Sequence, residues 1–556
     1  MSFFTRLRVG VLLGTSVALV ACGDSDDDGD ITGPPPATNP PAGVTVTAVS
    51  STVVQVSWSA ASGVQRYVVQ RAPQTGDFAQ LSDTVTGTQY RDSGLQPSTS
   101  YRYRVAAIRT TGTSDFSTVT EGQTLAPGRG SATIDANITA SRTLFADTTY
   151  QISGFIQVLN GATLTIEPGT RIVGDFDTPG SSLFITRGAR IVANGTAQNP
   201  IVFTSERAVG QRQPGDWGGL IMIGNAPINR TGQVIIEGTG TGASNPAQVY
   251  SGGTNAADNS GSLRYVRVEF AGFATATDAE LNTFTFAALG SGTQMEYLQA
   301  LGGLDDAFEW FGGTADAKYL LSYETGDDHF DMSEGFSGRL QYVVGLQSTV
   351  LAPRPAAGSP SSDPQGIEND GCAGAGCVDG QNSAPFTTPV VANFTLVGAG
   401  PGVVPAGGGI GMMIRRGTGG FYVNGIVARW PNSAIAIRDD ATNARLTEGN
   451  LLFRNILQVE NSRLFETGTA RFAVDTTANQ IFSAPGTAAS LFTAFGGTSY
   501  DWTPSTNSPA RTGGLTTFSG TLQQRAGTVV TGTAYRGAAD PAGAKWWQGW
   551  SVYARN

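Results

Sequence analysis

Residues 44–60 read VTVTAVSSTVVQVSWSA, with apolar and polar positions alternating, as they do in half-buried strands. YVVQRA and, after a turn-rich gap, YRDSGLQPSTSYRYRVAAIR continue that habit. From about residue 130 the pattern changes. Short β-branched runs, in ATLTIEPGTRIVG and then SSLFITRGARIVANGTAQNPIVFTSE, are punctuated by Gly and Asn-Gly and recur every twenty-odd residues. That period predicts stacked coils. LRYVRV starts at Leu263, MEYLQA at Met295, AKYLLS at Ala317 and LQYVVG at Leu340, the last three 22 and 23 residues apart. Tyr265, Tyr297, Tyr319 and Tyr342 hold the same place in each run, the pattern expected of a packing ladder along a solenoid axis. The 32-residue gap after Leu263 holds ELNTFTFAALGSGTQ, which predicts an extra strand or an enlarged loop. The closing KWWQGWSVYARN is expected to cap the open end of the coil stack, with a sugar-stacking platform as the competing expectation.

Composition narrows the class. A chain of 556 residues exceeds one ordinary domain. Hydrophobic residues make up 40% and charged residues only 14%, with 74 glycines. With helical patterns scarce, this describes a turn-rich, extracellular-type all-β protein. The formal charge of −10 argues against a nucleic-acid partner, which would want a basic stripe. It suits a solvated surface protein or a cation binder.

The N-terminus carries Arg6 and Arg8, an apolar run from Val9, and LVAC ending at Cys22. It reads as a secretory signal over 1–21, too short for a comfortable membrane span. Its ending resembles the lipobox of bacterial lipoproteins. That resemblance implies cleavage before Cys22, lipidation of its thiol and membrane contact through the lipid anchor alone. Gly23, rather than Asp, follows Cys22 and by the same resemblance favours the outer membrane or cell surface. Residues 22–41 are acids, Gly and Pro with almost no apolar side chains, and are expected to form a solvated tether. Cys372 and Cys377 sit in GCAGAGC, and in an exported chain they read as a short-loop disulfide. A metal pair is disfavoured because the chain has one His to help.

Residues 42–125 resemble a fibronectin type III domain. Trp58 matches its core Trp, and Leu95, Pro97, Thr99 and Tyr101 match the segment that forms its tyrosine corner. Residues 126–556 resemble the right-handed parallel β-helix proteins of the pectate-lyase-like superfamily. GDWGGLIMIGNAPIN, LRYVRVEFAG, DDAFEWFGG and IRRGTGGFYVNGIV further resemble a group of bacterial surface lipoproteins with β-helix bodies and no established activity. The fold expected is a fibronectin type III β-sandwich followed by a right-handed parallel β-helix.

One repeat carries chemistry. GLDDAFEWFGG, from Gly303, and TGDDHFDMSEG, from Thr325, superpose at an offset of 22 residues. Asp305 then meets Asp327, Asp306 meets Asp328, Glu309 meets Asp331, and Phe308 meets Phe330. Neighbouring coils lie about 4.8 Å apart, and stacked like charges at about 4 Å cost roughly 1 kcal/mol in water and several-fold more where water is excluded. Three arrangements would relieve this. A hard cation such as Ca²⁺ could take the oxygens, the acids could be held protonated, or they could splay into water in a recurring turn. Glu324, Glu334 and the pair Glu368 and Asp370 add acids to the zone.

The catalytic expectation is equally concrete. Some β-helix glycosidases that cut pectin use an aspartate cluster with a His and an Arg nearby, and here Asp327, Asp328 and His329 are consecutive. The separate His-bearing and Arg-Lys motifs of those enzymes are missing. Neighbouring carboxylates are expected to favour the charged form of His329 and to hold it in an ion pair. β-helix polysaccharide lyases pair Ca²⁺ with an Arg or Lys base, a role open to Arg415 or Arg416, although the Arg pair is expected to mark a bulge or turn and to form salt bridges. The leading function is non-enzymatic: a Ca²⁺-stabilised β-helix displayed at the cell surface that binds a polysaccharide or another surface partner. The alternative is a polysaccharide lyase or glycosidase working through the acid cluster.

Overall fold

The computed structural model describes residues 39–125, 130–400, 402–403, 409–497 and 499–553. The expected signal over 1–21, the lipidation site Cys22 and the tether up to residue 38 lie outside the described residues. The chain divides into two compact units that meet in sequence at Thr124 and Leu125. No helix among the described residues is long and apolar enough to cross a membrane.

The first unit is an antiparallel sandwich. Thr45–Ala48, Val53–Ser57 and Gln89–Ser93 make one sheet. Ala79–Val85, Arg66–Pro73 and Ser100–Arg109, with two short strands, make the other. The alternating positions read from the sequence supply the core. Val54, Val56, Val69, Tyr103 and Val105 are buried, and Trp58 meets Tyr67 edge-on at 5.2 Å. Tyr101 forms the expected corner, its hydroxyl accepting the Gln96 N–H at 3.0 Å.

The second unit is a solenoid of parallel strands. A sheet of ten strands stacks Phe155–Val158, Ser182–Ile185, Gly219–Ile223, Phe284–Ala287, Phe308–Phe311, Phe330–Ser333, Gln365–Asp370 and Ile410–Arg415 in that order, followed by two more. Longer strands, such as Gln294–Leu301 and Asp316–Tyr323, build the remaining walls. Each long strand bends at one unpaired residue. Leu263 faces Met295 and Val266 faces Leu298, while Tyr265, Tyr297, Tyr319 and Tyr342 have φ of 48°, 57°, 61° and 65°. A left-handed non-glycine residue costs about 1–2 kcal/mol. Here the rings stack at 4.3, 4.4 and 4.9 Å, and that contact offsets the strain. Asn393 and Asn424 take the same corner in later coils. Inside, Phe284, Phe308 and Phe330 stack nearly parallel at 4.9 and 5.4 Å.

Of the two alternatives for the 32-residue gap, the enlarged loop holds: Phe284–Ala287 is a regular rung, and the added length is a hairpin of Ala274–Ala276 with Ala279–Glu280. One expectation is corrected: the terminal tryptophans do not cap the stack. Leu464, Phe465, Phe472 and Val474 pack against the core near that end. The last segment instead lies along the flank as a strap. Trp550 meets Tyr265 and Tyr297 edge-on, and Trp546 tilts over Tyr319. With Trp547 and Trp550 buried and Trp546 against Tyr319, the terminal tryptophans form a packed contact rather than an open sugar platform. Gln299 exchanges two hydrogen bonds with Val552, and Arg267 donates to the Trp550 carbonyl. Trp550→Ala is therefore expected to loosen the strap. Limited proteolysis should then cut within the last twenty-odd residues while the coils stay intact, and cutting at the wild-type rate would contradict this.

Candidate functional site

Strand alternation sends Phe308, Trp310, Phe330 and Met332 into the core and turns Glu309 and Asp331 outward. Glu309 sits opposite Asp331, and Asp331 sits opposite Glu368 on the next coil. A carboxylate ladder thus runs parallel to the solenoid axis. At the corner before each rung come Asp305 with Asp306, and Asp327 with Asp328. Hydrogen bonds set this corner: the Asp328 N–H donates to Asp306 Oδ1 at 2.8 Å, and the Gln365 N–H donates to Asp328 Oδ1 at 2.5 Å. Asn282 accepts the Asp306 N–H at 3.1 Å and donates to Glu309.

Asp305, Asp306, Glu309, Asp327 and Asp331 line a cleft of about 730 Å³, walled by the hairpin around Asp278 and by residues 356–362, while Asp328 and Glu368 join the row through Asp331 without lining the cleft themselves. Glu237 and Glu280 face into it as well. Three groups of carboxylates bring one oxygen from each member within 4.8 Å of the others: Asp305, Asp306 and Asp327; Asp306, Glu309 and Asp331; Asp328, Asp331 and Glu368. Oxygens sharing one Ca²⁺ at about 2.4 Å can lie no more than about 4.8 Å apart. The donor set is all oxygen, with no sulfur or imidazole, which suits a hard cation.

Charge repulsion is visible in the acids themselves. Burial first, then the neighbouring carboxylates, pushes Asp305, Asp306, Glu309, Asp328 and Asp331 well above the ordinary carboxyl range. Asp327 rises to about 7, from burial and then Asp363, against an opposing hydrogen bond from Ser361. Glu368 rises to about 8, from burial and Asp370, against the pull of Arg415. Glu237 rises to about 7 through enclosure in the cleft, then Glu280 and Asp327; the solvent on its open side tempers this. Asp331 stands out because, among the described residues, no group donates a hydrogen bond to its carboxylate, and its Oδ1 is shut off from solvent. A separate acid group, Asp175, Asp177 and Glu206, differs, with hydrogen bonds from Ser153, Thr178 and Gln151 already occupying its oxygens.

Several sequence expectations meet a different geometry. His329 is next to Asp328 in the chain but not in the cleft. Its ring is buried, Nδ1 lies 2.6 Å from Ser322 Oγ, and Trp430 packs edge-on against it. Burial pushes it down to about 3, so it is neutral and forms no ion pair. Arg415 closes the ladder by pairing with Glu368 and, at 2.8 Å, with Asp370. Its guanidinium is held protonated beyond the usual range, by Asp370 and Glu368 against the effect of burial, which makes it a poor base. Arg416 is the expected turn, with φ 59°, and also pairs with Asp370. Glu324 and Glu334 occupy other corners. Glu324 accepts from the Ser348 N–H and the Tyr553 hydroxyl, and Glu334 holds Arg230 and Tyr250. Cys372 and Cys377 form a disulfide just beyond Asp370, leaving no thiolate for a metal. Glu237 and Glu280 were invisible in the repeat. The signal for Glu280 was the overlong stretch before Met295, which holds the hairpin; Glu237 lies earlier, just after the short strand Val234–Ile235, where no sequence pattern signalled it.

A family model described as a pectate-lyase-like β-helix domain matches residues 136–504, and one described as a fibronectin type III domain matches residues 39–123. No curated protein matches the chain. Among solved structures, the chicken CNTN1 FN1-FN3 domains match at 22% identity over 16% of this chain, with a TM-score of 0.15. Titin kinase and its flanking domains match at 24% over 16%, TM-score 0.15. The FN5 domain of Drosophila Lar matches at 26% over 16% of this chain and 99% of its own length, TM-score 0.15. The chain spans 31% and 18% of the first two.

Proposed function

Because this chain belongs to the pectate-lyase-like β-helix domain family, we propose that its solenoid serves as a display body whose acid cleft holds Ca²⁺ and, through it, a glycan or another surface partner. In this reading the protein is exported, anchored by a lipid on Cys22 and set off from the membrane by its tether and fibronectin type III module. The observation that carries the reading is Asp331. A carboxylate without a hydrogen bond, one oxygen sealed from water, among like charges, needs a positive partner. Ca²⁺ takes six to eight oxygens, and each acid group supplies three donor residues. The remaining positions are open to water or ligand hydroxyls, and Thr277, Ser359, Ser361 and Ser362 on the cleft wall are suited to hold a polyol beside the ion.

A polysaccharide lyase or glycosidase draws on one observation. Asp327, in the cleft, rises to about 7, a protonation state suited to a proton donor near neutral pH, and Glu237 across from it is pushed in the same direction. Against it, His329 and Arg415 are both engaged elsewhere. The test uses the purified chain on a panel of acidic and neutral polysaccharides, with Ca²⁺ or with chelator. Binding that needs Ca²⁺, without new reducing ends, supports display. Reducing-end release that disappears in Asp327→Ala replaces it with the enzyme. Incorporation of labelled palmitate into the wild type but not into Cys22→Ala tests the anchor.

A further inference from the structure

The three acid groups are not separate. Asp306 belongs to the first and second, and Asp331 to the second and third. They therefore form one continuous row across three coils, joined by two shared carboxylates. We propose that the cleft holds a row of three divalent cations, bridged in turn by Asp306 and Asp331, rather than a single ion. This rests on the cation reading above and extends it.

Two further observations support the row. The first is charge. The seven carboxylates of the three groups, set against the single guanidinium of Arg415 that touches them, sum to −6, which three divalent cations offset, and Glu237 and Glu280 on the cleft wall add further negative charge. Asp370 is matched separately by Arg416. The second is Asp331, whose carboxylate has no hydrogen-bond donor among the described residues. The other shared acid, Asp306, uses one oxygen to position the Asp328 N–H and has the other for metal. Asp331 has both oxygens available, one for each ion it joins, whereas Asp306 joins its two ions through its remaining oxygen. A single ion among the seven acids would leave most of them without a positive partner, at a cost that rises steeply in a partly dry site.

The shared positions make the row testable by counting. The full chain is dialysed to equilibrium with Ca²⁺ alone, and bound metal is measured by atomic emission. Three ions per chain are expected in the wild type. Asp305→Ala, which touches only the first group, should leave two. Asp331→Ala, which touches the second and third, should leave one. Because no described residue donates a hydrogen bond to Asp331, this change breaks none; Asp331→Asn, with near-unchanged shape, serves as the folding check by near-ultraviolet circular dichroism. A wild-type count of one or two, or equal losses from Asp305→Ala and Asp331→Ala, overturns the row while leaving a cation site in place. A count of zero overturns both the row and the cation reading it stands on.

Discussion

Removing divalent cations is expected to lower the melting temperature of the β-helix unit by about 10 °C at neutral pH, with an effect that grows as the pH rises. Ligand at a hundredfold its Kd stabilises by about 2.7 kcal/mol per site. Several sites in a unit of this size then correspond to a shift of about 10 °C. The pH dependence follows from the direction in which the acids move. In the cation-free protein their carboxyls lie above the unfolded value of about 4, so the folded state holds more protons than the unfolded one. Stability therefore falls as the pH rises. It is greatest below about pH 4, and is lost through about 7 for Asp327 and about 8 for Glu368, with the more strongly raised acids extending the decline beyond. Ca²⁺ binds the deprotonated oxygens and should flatten or reverse this slope. Differential scanning calorimetry from pH 4 to 9, with Ca²⁺ and with chelator, checks both parts. A chelator-treated protein whose melting temperature stays level or climbs over that range would mean that the acids reach water and carry no strain.

Arg415→Met is the second large effect. The guanidinium pairs with two carboxylates whose side chains are only 10% and 6% exposed. Truncating one partner of such a pair costs about 3–5 kcal/mol, because the charges left behind stay unpaired. The loss should be largest in chelator. With Ca²⁺ present it should shrink, since the row gains a negative charge and draws cations more strongly. Urea unfolding under the two conditions reads this directly. A variant equally destabilised with and without Ca²⁺ would separate Arg415 from the cation cleft.

These effects arise from features that differ in how openly the chain displays them. The 22-residue offset between the two acid runs was legible because β-helix strands are parallel and in register. Residues one coil apart are neighbours whatever lies between them, and Glu309 does face Asp331. Alternation along a strand was equally legible in the sandwich, through Val54 and Val56. His329 was misread because adjacency in sequence is not adjacency in space. It is the neighbour of Asp328, yet it turns to Ser322 and Trp430. Glu237 and Glu280 were not legible because they arrive on segments outside the coil period, where no repeat announces a partner. The terminal tryptophans followed the same logic. Apolar side chains at the end of a chain signal that something is covered, but not which surface. Here the surface was a row of tyrosines forced into left-handed corners.

The strap over that row has a consequence for how the solenoid comes apart. A stack of coils resembles a one-dimensional chain, in which each unit feels only its neighbours and fraying can begin at either end. The last segment breaks that rule. It touches the corners of Tyr265, Tyr297 and Tyr319, and further back Thr531 bonds Gln341 and Thr533 bonds Asn393. Coils several rungs apart are thereby clamped by a single segment, like planks under one batten. Loss of any one coil must strip the batten from the others. The unit should therefore melt as a block with a single sharp transition, and a chain shortened before Leu515 should melt in stages.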